Sequence, residues 1–206
     1  AAPEITSFGD LVGEAPAMRR AFGLLQTASL SDVSVLIEGE AGTGKSTAAV
    51  ALHRASSRAS GPFTAFDVLT PTGALQDAAL AARGGTLVVE NLDAASRTFG
   101  RELEGLLSAR TRGEIDFRLI GTSRVDLRDR VAAGGFDRDL YFAAASGVRV
   151  VLPPLRERRE DIPLLLRTLA RRFDLAALGD AAALRALGDD PLVGNVRELA
   201  QVLQQT

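Results

Sequence analysis

The chain has 206 residues, 24 Lys plus Arg against 26 Asp plus Glu (net charge -2), 46% hydrophobic and 24% charged residues, and no Cys. At about 150 residues per domain this is one domain, or one with a small appendage, with ordinary globular composition and enough chain for a core. Disulfide frameworks and thiolate metal sites are excluded, a zinc set cannot be built around the single His53, and no strongly basic nucleic-acid arm is present at whole-chain level. No apolar run approaches the ~18 residues of a membrane span, and no secretory signal pattern opens the chain, so a cytoplasmic protein without membrane contact is expected.

Taken in order, residues 34–38 form a short apolar run ending at Gly39, the pattern of a buried strand. Helix-compatible composition follows over 45–58, a second strand over 63–67, an Ala/Leu-rich helix over 74–83 and a third buried strand over 86–89. A helix includes 103–110, and strands are expected at 117–121 and 148–152. Strands alternating with helices imply parallel β-α-β units, hence an α/β fold with helices on both faces of the sheet. Beyond Pro153-Pro154 the strand signal ends, and helices are expected near 160–173, 181–188 and 194–204. The expected division is therefore an α/β domain, 1–152, and a small helical domain, 153–206.

Gly39-Glu-Ala-Gly-Thr-Gly-Lys45-Ser46 satisfies G-x-x-x-x-G-K-[ST] at every fixed position, directly after a strand and opening a helix. Glycines let successive N–H groups converge on phosphate oxygens, and the helix adds its positive end. Lys45 is the chain's single lysine among 23 arginines. A compact ammonium, rather than a planar fork, stands where β- and γ-phosphates would lie. Gly39, Glu40, Ala41, Gly42, Thr43, Gly44, Lys45, Ser46 and Thr47 are thus candidate nucleotide-binding residues, with Ser46 facing Mg²⁺. Such a loop needs an acid at the end of a nearby buried strand. Thr86-Leu-Val-Val-Glu90-Asn91 has that form, making Glu90 a second candidate for organising the metal. Asn91 occupies the place where a carboxylate would polarise water, and an amide cannot take up a proton there.

At this point the sequence resembles the AAA+ core of bacterial enhancer-binding proteins, the sigma-54-dependent transcriptional activators. The similarity is carried by Leu11-Val-Gly-Glu14 and Pro16-Ala-Met18, by Val35 to Lys45, by Ala51-Leu-His53-Arg-Ala-Ser56, and by Gly84-Gly-Thr-Leu87. Two long motifs complete it: Leu152-Pro-Pro-Leu-Arg-Glu-Arg-Arg-Glu-Asp-Ile-Pro-Leu164 and Gly194-Asn-Val-Arg-Glu-Leu199. The resemblance implies a P-loop AAA+ sheet followed by a helical lid, ATP or ADP with Mg²⁺, and assembly with further copies as a ring or dimer. It implies adenine contact by Val12, Gly13 and the lid linker at Ile162, a phosphate contact by Arg197 as sensor II, and a structural His53.

Departures from the family are equally specific. The interval 68–83 holds no G-A-F-T-G-A sequence and has no room for the insertion that carries it, so contact with sigma-54 is not expected; the segment 108–116 also looks shortened. Sensor I reads Thr122-Ser123, with Ser123 where asparagine is usual. The arginine-finger segment places Asp137 and Ala143 at the two finger positions, with Arg138 one place along, a rotation of about 100° on a helix. Asp67 and Asn91 stand where the family has Asn and Glu, as if acid and amide had changed places, and the two are expected to hydrogen-bond across adjacent strands. These positions imply a regulator module that binds nucleotide and hydrolyses it weakly or not at all. The alternatives are an active ring ATPase using Asp67 or Asp93 as the acid, and an interaction scaffold stabilised by nucleotide. No helix-turn-helix follows the last motif, so direct DNA contact by this chain is not expected.

Overall fold

The computed structural model describes residues 5–173 and 192–205. In chain order the elements are β1 (Ser7–Phe8), β2 (Leu11–Val12), α1 (Pro16–Ser29), β3 (Val35–Glu38), α2 (Lys45–Arg54), β4 (Phe63–Asp67), α3 (Leu75–Ala81) and β5 (Thr86–Glu90). There follow α4 (Arg97–Thr111), β6 (Arg118–Ser123), α5 (Leu127–Ala132), α6 (Arg138–Ala144), β7 (Val148–Val151), α7 (Ile162–Arg172) and α8 (Asn195–Gln205). The expected helix at 181–188 lies outside the described residues.

Five strands form one parallel sheet in the order β4-β5-β6-β3-β7, and β1 and β2 form a separate antiparallel hairpin. All four residues of β3 are buried, as a strand covered on both faces requires. Its alternate side chains serve two cores: Val35 and Ile37 pack with Met18, Phe22, Leu25 and Leu52, whereas Leu36 packs with Leu87, Val89, Leu92 and Leu103. Thus α1 and α2 cover one face, and α3 to α6 the other. A third cluster joins Leu155, Leu165, Leu166, Leu199 and Leu203, with Val12 and Ile162 packed against it.

The helix expected over 45–58 stops at Arg54, capped at Ala55. Ser56 donates its hydroxyl to the His53 carbonyl, and Arg58 leaves the helix to bridge Asp32 and Asp116. Pro16 at the first turn starts α1, whose buried positions Met18, Ala21, Phe22, Leu25 and Ala28 follow helical spacing. Between β4 and β5 the chain makes only a turn and α3. His53 is buried, its Nδ1 2.9 Å from Thr86 Oγ1 and its ring edge-on to Phe63, in keeping with a structural role. Among the described residues, no helix is long and apolar enough to cross a membrane.

Candidate phosphate-binding site

The loop between β3 and α2 lies at the C-terminal edge of the sheet, where open α/β sheets place their ligands. A cavity of about 560 Å³ opens there. Its lining includes Lys45, Arg124, Arg172 and Arg197 against Asp67 and Glu90, an excess of positive charge in a chain whose net charge is -2. That imbalance suits a polyanion. A second cavity, about 650 Å³, adjoins Val33 and Ser34 at the opposite ends of the strands; it is lined by Ala143, at a finger position, and by none of the expected nucleotide-binding residues.

Lys45 Nζ donates to the carbonyls of Gly39 and Glu40 at 2.7 and 2.9 Å, so its charge is held inside the loop. Burial lowers its pKa; Arg197 and Arg124 push the same way, while Asp93 and Glu90 oppose them. Gly42 has φ +79°, and a Cβ there would lie 2.0 Å from the Gly194 carbonyl oxygen. Only glycine meets both demands. This close approach lets Val196 N–H donate to Gly42 O at 3.1 Å. Asn195 Nδ2 donates to Ala41 O at 2.9 Å, while its Oδ1 accepts from Leu155 N–H at 2.6 Å. Thr43 turns inward, its carbonyl accepting from the buried Arg158, and Glu40 pairs with Arg156. Gly39, Glu40 and Thr43 therefore brace the loop, whereas Ala41, Gly42, Gly44, Lys45, Ser46 and Thr47 line the cavity.

Ser46 donates its hydroxyl to Glu90 Oε1 at 2.6 Å. One hydroxyl beside one carboxylate fits Mg²⁺, which binds through few protein oxygens and takes its remaining ligands from water and phosphate. Asp67 and Glu90 are register partners in β4 and β5, which sets Asn91 beside Asp67. Asn91 Nδ2 donates to Asp67 Oδ1 at 2.8 Å, the expected hydrogen bond, and both residues line the cavity. Asn91 sits at φ 58°, ψ 42°, a left-handed conformation that asparagine tolerates better than most residues. Arg197 also lines the cavity, from the first turn of α8.

Other expected residues lie elsewhere. Ser123 is fully buried and donates to the Val125 carbonyl at 2.6 Å; Thr122, on the opposite side of the strand, is the cavity-lining hydroxyl. Arg138 is exposed at the start of α6, its guanidinium 5.4 Å from the Phe142 ring centre, and does not reach the cavity of its own chain. Val12 and Ile162 meet in the third apolar cluster beside Leu169 and Val196, which line the cavity. At Gly13 a Cβ would lie 2.8 Å from Asp161 Oδ2, so this glycine makes room for the linker carboxylate. Asp161 Oδ1 accepts from Glu14 and Ala15 N–H, satisfying the entry to α1, whose N-cap Ala15 has no side-chain cap of its own.

Sequence reasoning missed Arg124, Arg172, Leu169 and Phe173 in the cavity wall. Arg124 binds Asp93 through Nε and Nη2, at 2.9 and 2.7 Å.

A parallel sheet in this order, with a glycine-rich loop between its interior strand β3 and a helix, defines an AAA+ P-loop fold. The chain belongs to the family described as the Sigma-54 interaction domain, which it matches over residues 12–155. It is 34% identical to the DNA-binding transcriptional regulator NtrC of Proteus hauseri over 233 residues, 96% of this chain and 49% of that protein. The C4-dicarboxylate transport transcriptional regulatory protein DctD of Rhizobium meliloti (strain 1021) is 33% identical, covering 95% of this chain and 49% of that one. The chain spans about half the length of these curated relatives. Among solved structures, NtrX from Brucella abortus in complex with ATP superposes with a TM-score of 0.80 at 27% identity, over 95% of this chain and 52% of that one. The P-loop NTPase domain of the sigma-54 transport activator from E. coli gives 0.56 at 28% identity, over 70% of this chain and 99% of that one.

Proposed function

We propose that this chain is the nucleotide-binding module of a transcription regulator, taking ATP or ADP with Mg²⁺ and hydrolysing ATP weakly or not at all. Lys45 and the loop N–H groups would hold the β- and γ-phosphates, Arg197 would reach them from α8, and Ser46 and Glu90 would hold the metal. When bound, the metal supplies charge neutralisation for the phosphates. Binding is supported by the cationic cavity and by the NtrX complexes with ATP and ADP.

The observation that carries the reading of weak hydrolysis is the bond from Asn91 to Asp67. The acid is tied to an amide at the strand ends, and Asp93 is tied to Arg124, so neither stands as an uncommitted base. A general base contributes about 10²–10⁴-fold to such a reaction. Nucleotide titration together with a phosphate-release assay tests this: binding should be measurable and turnover very slow. Robust turnover abolished by Lys45→Ala would favour the active ring ATPase instead.

The same reading divides the chain at 152/153 into a nucleotide domain and a lid, places its work in the cytoplasm, and allows self-association as a ring or dimer, since Arg138 could serve only a neighbouring copy. Direct DNA contact is not part of it. Contact with sigma-54 through an inserted loop is not part of it either. Supporting this, the Proteus alignment runs over 233 positions, more than the 206 residues here, so that relative carries segments this chain lacks.

A further inference from the structure

We propose that Arg124 distinguishes nucleoside triphosphate from diphosphate: it pairs with Asp93 and is drawn from it to the terminal phosphate of a bound triphosphate. The proposal rests on the nucleotide reading above and adds a residue to that site. Arg124 directly follows β6 and lines the cavity together with Lys45, Ser46, Glu90, Asn91 and Thr122. These residues would surround the metal and the far end of a phosphate chain seated in the loop.

The pair is asymmetric in a way that suits exchange. The Asp93 side chain is 5% exposed, and that of Arg124 is 42% exposed. The carboxylate is therefore the fixed partner and the guanidinium the movable one. Asp93 Oδ1 also accepts the backbone N–H of Arg124 at 3.0 Å. That bond survives if the guanidinium swings away, so departure does not leave the buried carboxylate without a donor. A guanidinium carries five N–H donors and matches phosphate oxygens in bidentate geometry. Arg124 already acts electrostatically on Lys45, as do Asp93 and Glu90, so these charges share one field. A terminal phosphate placed near Lys45 would compete with Asp93 for the same cation. Positions 137 and 143, where the family resemblance sets finger arginines, hold Asp137 and Ala143. The cation would thus come from the chain that owns the loop, with no second copy required.

The test is binding of a fluorescent non-hydrolysable ATP analogue and of the matching ADP to the full chain and to Arg124→Ala, Asp93→Asn and Lys45→Ala. Arg124→Ala should weaken triphosphate binding about tenfold or more and leave ADP binding within about twofold, the range of one charge-assisted hydrogen bond. Asp93→Asn should shift the preference toward triphosphate by freeing the guanidinium; it gives an independent answer if Arg124→Ala does not fold. Equal losses for both nucleotides, or an unchanged preference in both variants, would overturn the proposal and leave Arg124 as a brace for the turn after β6. Undiminished binding of both nucleotides by Lys45→Ala would instead sink the loop assignment, and this proposal with it.

Discussion

Asn91 and Asp67 join the ends of β5 and β4 through a 2.8 Å bond from amide to carboxylate. The same carboxylate accepts from Leu69 N–H and from the Thr70 hydroxyl, each at 2.9 Å. Burial raises the Asp67 pKa, but hydrogen bonds from Asn91, Leu69 and Thr70 outweigh it, and the net shift is downward. Asp67 is an anion with its acceptor sites in use, which makes it a poor proton acceptor beside a phosphate.

Exchanging the two residues should therefore be non-additive. Asp67→Asn combined with Asn91→Glu is expected to recover more ATPase activity than the two single changes together, measured in a double-mutant cycle. Asn91→Glu alone loses the bond and puts a larger side chain at φ 58°, a left-handed conformation costing roughly 1–2 kcal/mol for ordinary residues. Its urea midpoint should fall. Additive activities would leave two unrelated substitutions.

Lys45→Ala should lower ATP affinity roughly 10- to 150-fold, corresponding to a charge-assisted contact of about 1.5–3 kcal/mol. Isothermal calorimetry checks this, and unchanged affinity would refute the assignment of the loop.

The linker carboxylate Asp161 should behave as a remote cap for α1. Asp161→Ala is expected to cost more than a lost N-cap, about 3–5 kcal/mol in urea unfolding, because it also leaves the buried Arg158 without the carboxylate 4.0 Å from its Nη1. Gly13→Ala should destabilise the wild type, because its Cβ meets Asp161 Oδ2 at 2.8 Å, and should cost less in the Asp161→Ala background. Equal costs in both backgrounds would remove Asp161 as the reason for this glycine.

Acid should expose the Arg58 network. Hydrogen bonds from Arg58 hold Asp32 and Asp116 below their ordinary value of 3.8, against the opposing effect of burial. Carboxyls with lowered folded pKa values contribute stability that is present above 3.8 and lost as pH falls through the folded values. Arg58→Ala should flatten the loss of stability in that acid range, as followed by unfolding free energy against pH. Glu38 has the opposite sign: burial raises it above 4.5, despite hydrogen bonds from Leu127 and Arg149, so its contribution is present below 4.5 and fades as pH rises through the folded pKa. An unchanged acid limb in Arg58→Ala would exclude the network as its source.

A pull-down of sigma-54 with this chain and an ATP transition-state analogue should recover none. Specific retention would show that a surface other than an inserted loop makes the contact.

Much of the fold follows from local pattern. Val35, Leu36 and Ile37 announce a strand buried on both faces, and the loop motif lies where it must, between that strand and α2. The amphipathic spacing of α1, from Pro16 through Met18, Phe22 and Leu25, was present in the sequence too, yet no helix was expected there. The cavity's further members were not legible. Arg124 is one of 23 arginines, and its partner Asp93 is 31 residues away, brought close only because β5 and β6 are neighbours. Ser123 shows the reverse failure: motif position pointed to the cavity, while strand alternation gave that place to Thr122. Arg118 illustrates a third limit. An arginine beginning a strand reads as exposed, yet it is fully buried and donates to the carbonyls of Ala28 and Val33.

The pairing of β3 has a consequence for synthesis on the ribosome. This strand is made before both its neighbours, residues 118–123 and 148–151, and the loop's brace to Ala41 comes from Asn195, 154 residues later. A nascent chain therefore carries an apolar interior strand without its partners until at least 80 further residues have been made, a natural ligand for chaperones. The loop's own bonds, from Lys45 to Gly39 and Glu40, can form early, whereas its braces at Ala41 and Gly42 must wait for Asn195 and Val196.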